Sequence, residues 1–281
     1  HATGSLRRWM RPRRAWPTLP MLGTSARVAP QPRGRVLIIA PWNYPLGLCF
    51  GPLVSALAAG NTVILKPSEL TPAVSGLMAR IVAETFPPDE VALVEGGPEV
   101  SQALLDLPFD HVFFTGSPAV GRLVAAAAAR HLAGVTLELG GKCPAIVTPS
   151  ADPRDAAETL MWGKLLNAGQ TCVAPDHVFV HRDVRDAFVA ECRKAIARRF
   201  GDAPAERRQS PDLARIVSTR HAERLAGLLT DAVERGARVL AGGETDTAGR
   251  YVEPTLLGEV PPGARIMDEE IFGPILPILE Y

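Results

Sequence analysis

Apolar residues in this chain fall into short runs of four or five, separated by longer stretches where they recur every three or four positions. The first pattern marks strands buried on both faces, the second amphipathic helices. Val36 to Ala40 reads as a strand, followed by a helix over 46–59 that stops at Gly60-Asn61. Thr62 to Leu65 is the next strand, and Thr71-Pro72 caps and opens a helix running towards Phe86. Val91 to Val94 is a third strand, ended by Gly96-Gly97-Pro98, with a short helix near 101–106 behind it. His111 to Phe114 is a fourth. The turn Thr115-Gly116-Ser117-Pro118 then opens a helix to about His131, and Val135 to Leu139 is a fifth strand. Such alternation predicts a parallel sheet covered by helices on both faces, with ligands at the carboxyl ends of its strands.

After Gly140-Gly141 the pattern restarts. Ala145 to Val147 reads as a strand, 153 to about 168 as a helix, and a loop containing Cys172 follows. Next come strand 178–181, a long helix 184–200, a helix around 221–235, and strands at 239–241 and 275–279. The chain thus divides at residues 1–32, 33–138 and 139–281, an α/β organisation throughout.

Composition narrows this picture only slightly. With 281 residues, 47% of them hydrophobic, the chain can bury substantial cores. Net charge is zero, which removes the electrostatic case for nucleic acid or an anionic membrane. Arginine makes up 26 of the 30 basic residues, as a G- and C-rich coding sequence produces, so the four lysines stand out. Lys66 and Lys142 both lie beside candidate chemistry. The four cysteines show no metal-ligand spacing, so free thiols in a reducing, cytoplasmic setting are expected. No apolar run reaches the ~20 residues of a membrane-spanning helix. Residues 1–68 hold no acid and eight arginines fall in the first 35, as in a transit peptide. The chain begins at His1, however, and Leu6 to Met10 reads as the end of an interrupted helix. A fragment lacking both termini is therefore the expectation.

Candidate chemistry starts at Cys172, in Asn167-Ala168-Gly169-Gln170-Thr171-Cys172-Val173-Ala174-Pro175. Most lone cysteines are small buried hydrophobes, which suits Cys49, Cys143 and Cys192. Small and polar neighbours put Cys172 on a loop instead, where a thiol can face a cleft as a nucleophile. Glu138 ends an apolar strand, where burial costs several kcal/mol unless the carboxylate is partnered. It is either a satisfied structural acid or a general base able to activate water. Asn43, in Pro41-Trp42-Asn43-Tyr44-Pro45, either forms a turn or donates its amide to an oxyanion, with the Cys172 amide as second donor. Trp42 beside it walls a cleft or caps the sheet. Lys66 and Glu69 close the second strand, as an exposed charge pair or as ligand contacts. Gly116, Ser117 and Gly121 open a helix directly after a strand. This departs from GxGxxG, yet the free amides of such a helix start can hold a pyrophosphate.

These blocks together resemble the aldehyde dehydrogenase superfamily, and within it the class 3 aldehyde dehydrogenases, over residues 33–281. The resemblance implies an NAD(P)-binding domain at 33–138, with a Rossmann-like parallel sheet, and an α/β catalytic domain at 139–281. It also implies oxidation of medium- or long-chain aliphatic or aromatic aldehydes to acids through a Cys172 thioester, with Glu138 as base and Asn43 at the oxyanion. Lys66 and Glu69 would hold the adenosine ribose, while Glu270 and Phe272, in Glu-Ile-Phe-Gly-Pro, would contact the nicotinamide ribose and ring. NAD is the implied cofactor, with NADP accepted by several members, and the full-length proteins of the class are homodimers. Cys143 departs from the class, which more often has Ser or Asn there. A cofactor-independent thiol esterase and a dinucleotide-binding fragment without turnover remain the alternatives.

Overall fold

A computed structural model describes the whole chain, residues 1–281, as two compact units, His1–Leu139 and Gly140–Tyr281. The first begins with helix α1 (Ala2–Trp9) and a two-stranded antiparallel ribbon, β1 (Arg13–Ala15) and β2 (Ala26–Val28). Then follow β3 (Arg35–Ile39), α2 (Pro45–Ala58), β4 (Thr62–Lys66), α3 (Pro72–Thr85) and β5 (Val91–Leu93). The unit closes with α4 (Pro98–Leu105), β6 (His111–Gly116), α5 (Pro118–Ala129) and β7 (Gly134–Leu139).

Strands β3 to β7 form one parallel sheet in the order β5-β4-β3-β6-β7. Period-two alternation explains how β3 serves two cores at once. Val36 and Ile38 pack with Cys49, Leu53, Met78 and Val82 from α2 and α3. Leu37 and Ile39 pack on the opposite face with Leu104, Val124 and Ala128 from α4 and α5. Each such side chain contributes ~1.5–3 kcal/mol by leaving water, so a polar substitution within β3 would damage both layers. The chain winds from β3 to β5 in one direction and then returns to β6 on the other side. That reversal makes the β3–β6 boundary a topological switch point, where sheets of this type take their ligands.

In the second unit, β8 (Pro144–Val147), α6 (Pro153–Leu165), β9 (His177–Val180), α7 (Arg182–Phe200), α8 (Pro204–Gln209) and α9 (Thr219–Glu234) lead to β10 (Arg238–Ala241). A small hairpin of β11 (Thr245–Asp246) and β12 (Tyr251–Val252) precedes β13 (Thr255–Gly258), α10 (Arg265–Asp268) and β14 (Ile275–Glu280). The sheet order is β10-β13-β14-β9-β8, parallel except for the β10–β13 pair. Met161, Phe188, Ile196, Leu225 and Leu228 from the helices share one core with Val178, Leu256 and Ile278 from the strands.

Three expectations need correction. The helix predicted over 153–168 ends at Leu165, because Asn167, Ala168 and Gly169 all adopt positive φ (52°, 52° and 73°). The helix near 101–106 starts earlier, at Pro98, whose fixed φ suits a first helical turn. Thr71 precedes α3, but its hydroxyl caps nothing and is buried without a hydrogen-bond partner. Strand β13, buried at all four residues, was not anticipated.

Candidate active site

The first unit carries its candidate residues at the carboxyl ends of its strands or shortly after them. Trp42 and Asn43 lie half-buried between β3 and α2. Lys66 ends β4 and is 2% exposed, with Nζ donating to the Pro67 carbonyl at 2.9 Å and to Glu69 Oε2 at 3.3 Å. The Glu69 side chain remains 42% exposed, so water is at hand to replace Lys66 as the partner of its carboxylate.

Gly116 ends β6, and a Cβ there would sit 2.5 Å from the Phe114 ring, so only glycine fits without moving the ring. Ser117 caps α5, its hydroxyl accepting from the Val120 amide at 3.3 Å. Gly121, one turn further, lets the helix close onto β7, since a Cβ would meet Leu139 at 2.9 Å. Gly121 thus packs helix against strand rather than lining the helix start.

Glu138 pairs with Thr115 in the β6–β7 ladder. Burial supplies no argument for its role: β7 is an edge strand, and Glu138 is exposed with no hydrogen-bond partner for its carboxylate.

The second unit gathers its candidates at the amino ends of β8, β9 and β14. Cys172 lies half-buried on the loop before β9. That loop is shaped by the left-handed run Asn167-Ala168-Gly169, a conformation costing roughly 1–2 kcal/mol at each non-glycine residue. Gly169 cannot be replaced freely, because a Cβ would lie 2.3 Å from the Gly273 carbonyl oxygen. Gln170, buried, pins the loop: its amide donates to the Asn167 and Arg215 carbonyls at 3.0 and 3.2 Å and accepts from the Val217 amide at 2.9 Å.

Cys143, just before β8, donates its thiol to the Cys172 carbonyl at 3.4 Å. Burial, with Asp176 and Glu270 nearby, pushes that thiol up. Cys49 and Cys192 are fully buried, and burial raises Cys49 to about 12. They fit the expected role as small hydrophobes.

Glu270 lies against the Gly140 turn so closely that a Cβ on Gly140 would be 1.9 Å from its Oε2. Burial raises its carboxyl above the ordinary range, while a backbone hydrogen bond from Gly141 pulls the other way. Phe272 follows with φ of 51°, a strained value for an aromatic residue.

Of the charges around these residues, the sequence marked Lys142 but not Asp176, Lys164 or Arg224. Asp176, 3% exposed, pairs with Lys142, whose ammonium also donates to the Ile266 and Glu269 carbonyls at 2.9 and 3.1 Å. Lys164, 1% exposed, is held down to about 8 by burial, against the pull of Asp176. Arg224 donates to the Glu270 carbonyl at 3.1 Å. As one of only four lysines, Lys164 could have been flagged by the same rarity that marked Lys66 and Lys142. Arg224 carries no such signal among 26 arginines.

The aldehyde dehydrogenase family pattern matches residues 5–281. The chain belongs to the aldehyde dehydrogenase family. It is 46% identical over its whole length to the 4,4'-diaponeurosporen-aldehyde dehydrogenase of Staphylococcus aureus, spanning 60% of that protein. It is 44% identical over 99% of its length to aldehyde dehydrogenase family 3 member B1 of Rattus norvegicus, spanning 58% of it. The structure of a Mycobacterium tuberculosis aldehyde dehydrogenase complexed with NAD+ matches all of the chain with a TM-score of 0.88 and 32% identity, over 58% of its own length. The chain therefore spans about three fifths of the length of these relatives, and its two units carry the aldehyde dehydrogenase fold over that span. No helix is long and apolar enough to cross a membrane.

Proposed function

We propose that the protein oxidises aldehydes to carboxylic acids with NAD or NADP through a covalent intermediate on Cys172. The observation that supports this most is a half-exposed thiol on a strained left-handed loop, in a chain whose other unit is a parallel sheet with a glycine-and-serine helix start at its switch point. The residues present suit a dinucleotide. Gly116 and the α5 amides offer an anion cradle, Lys66 offers a buried ammonium, and Glu69 offers an exposed carboxylate for ribose hydroxyls. Glu270 and Phe272 are assigned to the nicotinamide end. When bound, the nicotinamide supplies the hydride acceptor.

The rest of the chemistry falls to the chain. The Cys172 sulfur attacks the aldehyde carbonyl, forming a carbon–sulfur bond and an oxyanion. The Asn43 amide and the Cys172 backbone N–H donate to that oxygen. After oxidation the thioester is opened by water, whose proton passes to the Glu138 carboxylate, and the acid leaves with the thiol restored. An exposed carboxylate with no competing partner suits that last step, since nothing must be displaced before it takes a proton.

Class 3 likeness extends the proposal to medium- and long-chain aliphatic or aromatic aldehydes and to a homodimer. The free cysteines favour a cytoplasmic setting. The test is absorbance of NADH or NADPH on mixing aliphatic and aromatic aldehydes with each cofactor and the protein as its gene encodes it. Aldehyde-dependent reduction of the cofactor is expected. Ester hydrolysis without any cofactor reduction would instead favour a thiol esterase. Dinucleotide binding with neither activity would leave a binding module.

A further inference from the structure

Residues 266–271 comprise the last three residues of the four-residue helix α10 and the three that follow it on the way to β14 at Ile275. Backbone groups there have no ladder to join, so side chains must satisfy them. Three side chains do so. Lys142 donates to the Ile266 and Glu269 carbonyls, at 2.9 and 3.1 Å, and to Asp176 Oδ2. All three of its N–H groups are thereby used. Asp176 turns its other oxygen to the Ile271 amide at 2.9 Å. Arg224 crosses from α9, donating to Glu269 Oε2 at 3.3 Å, the Glu270 carbonyl at 3.1 Å, and the Ile271 carbonyl.

Asp176 also ties the segment back to the thiol, because its backbone amide donates to the Cys143 carbonyl and it sits four residues after Cys172. The tolerance is narrow: the Glu270 carboxylate lies where a Gly140 Cβ would be, and Phe272 holds a positive φ.

We propose that Lys142, Asp176 and Arg224 are positioning residues that fasten the 266–271 segment and thereby hold Glu270 in place for the cofactor. The inference rests on the assignment of Glu270 to the nicotinamide ribose. Lys142 and Asp176 join the turn after β7 to the run bearing Cys172 through a single ion pair, 3% exposed on the aspartate side. An asparagine at 176 can still accept from Ile271 but offers Lys142 no charge, so the segment should loosen without losing every bond.

A double-mutant cycle separates positioning from simple scaffolding. Dissociation constants for NAD are measured by fluorescence, with KM and kcat alongside, for Glu270→Gln, Asp176→Asn and their combination in the protein as encoded. Each single change should weaken NAD by about five- to ten-fold, and Asp176→Asn should add under about two-fold once Glu270 is already glutamine. Full additivity, or no effect of Asp176→Asn while Glu270→Gln weakens NAD, overturns the positioning role and leaves the assignment of Glu270 standing. An unchanged affinity in Glu270→Gln overturns that assignment and the inference with it. Should Asp176→Asn fail to fold in a thermal melt, Arg224→Gln, at a half-exposed side chain, enters the same cycle. If neither variant folds, the three residues are scaffold alone and the proposal is lost.

Discussion

The two units hold their candidate residues at opposite ends of their strands. In Gly140–Tyr281 they precede β8, β9 and β14, whereas in His1–Leu139 they end or follow β3, β4, β6 and β7. The means of holding differ too. The first unit relies on regular elements: a strand end for Lys66, a capped helix start for Ser117, an open edge strand for Glu138. The second relies on irregular backbone kept in place by buried charges. A dinucleotide needs amides and hydroxyl contacts along a surface, which a sheet edge and a helix start provide without strain. A nucleophile must be presented at one point, and a left-handed loop does that at a local energetic cost.

The widest separation between the units should come from Cys172→Ala. Removing the sulfur removes the covalent step, so aldehyde oxidation and any esterase activity should fall by at least about a thousand-fold. NAD affinity, assigned to Lys66, Glu69, the Gly116 turn and Glu270, should stay within about two-fold. Titration of the alanine variant with NAD, alongside its turnover, checks both halves. Retained turnover would take Cys172 out of the mechanism.

Backbone strain gives the next contrast. Gly169→Ala must place a methyl 2.3 Å from the Gly273 oxygen and force φ of 73° on a non-glycine residue. A loss of about 2–4 kcal/mol in unfolding free energy is expected, read from denaturant curves. Gly141→Ala, where nothing lies within 4 Å, should change stability by under about 0.5 kcal/mol. Equal effects would mean that the Cys172 loop relaxes to relieve the clash with the Gly273 oxygen.

Glu138→Gln tests a residue of the first unit that is assigned to the second half of the reaction. The amide keeps the shape but accepts no proton, so acyl-enzyme should accumulate. Rapid mixing should show a burst of about one NADH per site, then a steady state about a hundred-fold below wild type. A burst that shrinks together with the steady state would place Glu138 earlier, at the thiol itself.

Legibility followed the same divide. Every strand of the first sheet could be read from its apolar run, because a strand buried on both faces has little freedom in composition. The second sheet was read less completely. Strand β13 is four residues, Thr255 to Gly258, hemmed by Pro254 and Glu259, too short for any periodicity to emerge. The end of α6 was missed because Leu166, Asn167 and Ala168 continue a plausible helical pattern, and only the fold shows that the chain turns left-handed at 167–169 with Gly169 packed against Gly273. Site residues were legible where a motif surrounds them, as at Cys172 and Lys66. Arg224 was not, since its role depends on a carboxylate and two carbonyls 45 to 47 residues away that no local pattern announces.

The smallest effect expected concerns cofactor choice, which is assigned to Glu69 in the first unit. Glu69 stands after β4 with its carboxylate 42% exposed and bonded at 3.3 Å to the Lys66 ammonium. A 2′-phosphate brought to that carboxylate meets like charge, which favours NAD. The opposing consideration is how weakly Glu69 is held. Its carboxylate end is open to water, so the side chain can swing aside and leave the buried Lys66 ammonium to face the phosphate. These two terms nearly cancel, and activity with both cofactors and a modest preference for NAD is the expected balance. Glu69→Gln removes the repulsion while keeping a group that can bond a ribose hydroxyl. It should move the ratio of kcat/KM for NAD over NADP towards NADP by about three- to ten-fold, or ~0.7–1.4 kcal/mol. Steady-state kinetics with each cofactor measures that ratio directly. A wild-type preference for NADP, or a ratio unmoved in the glutamine variant, would mean that Glu69 does not read the ribose and that the selectivity is set elsewhere.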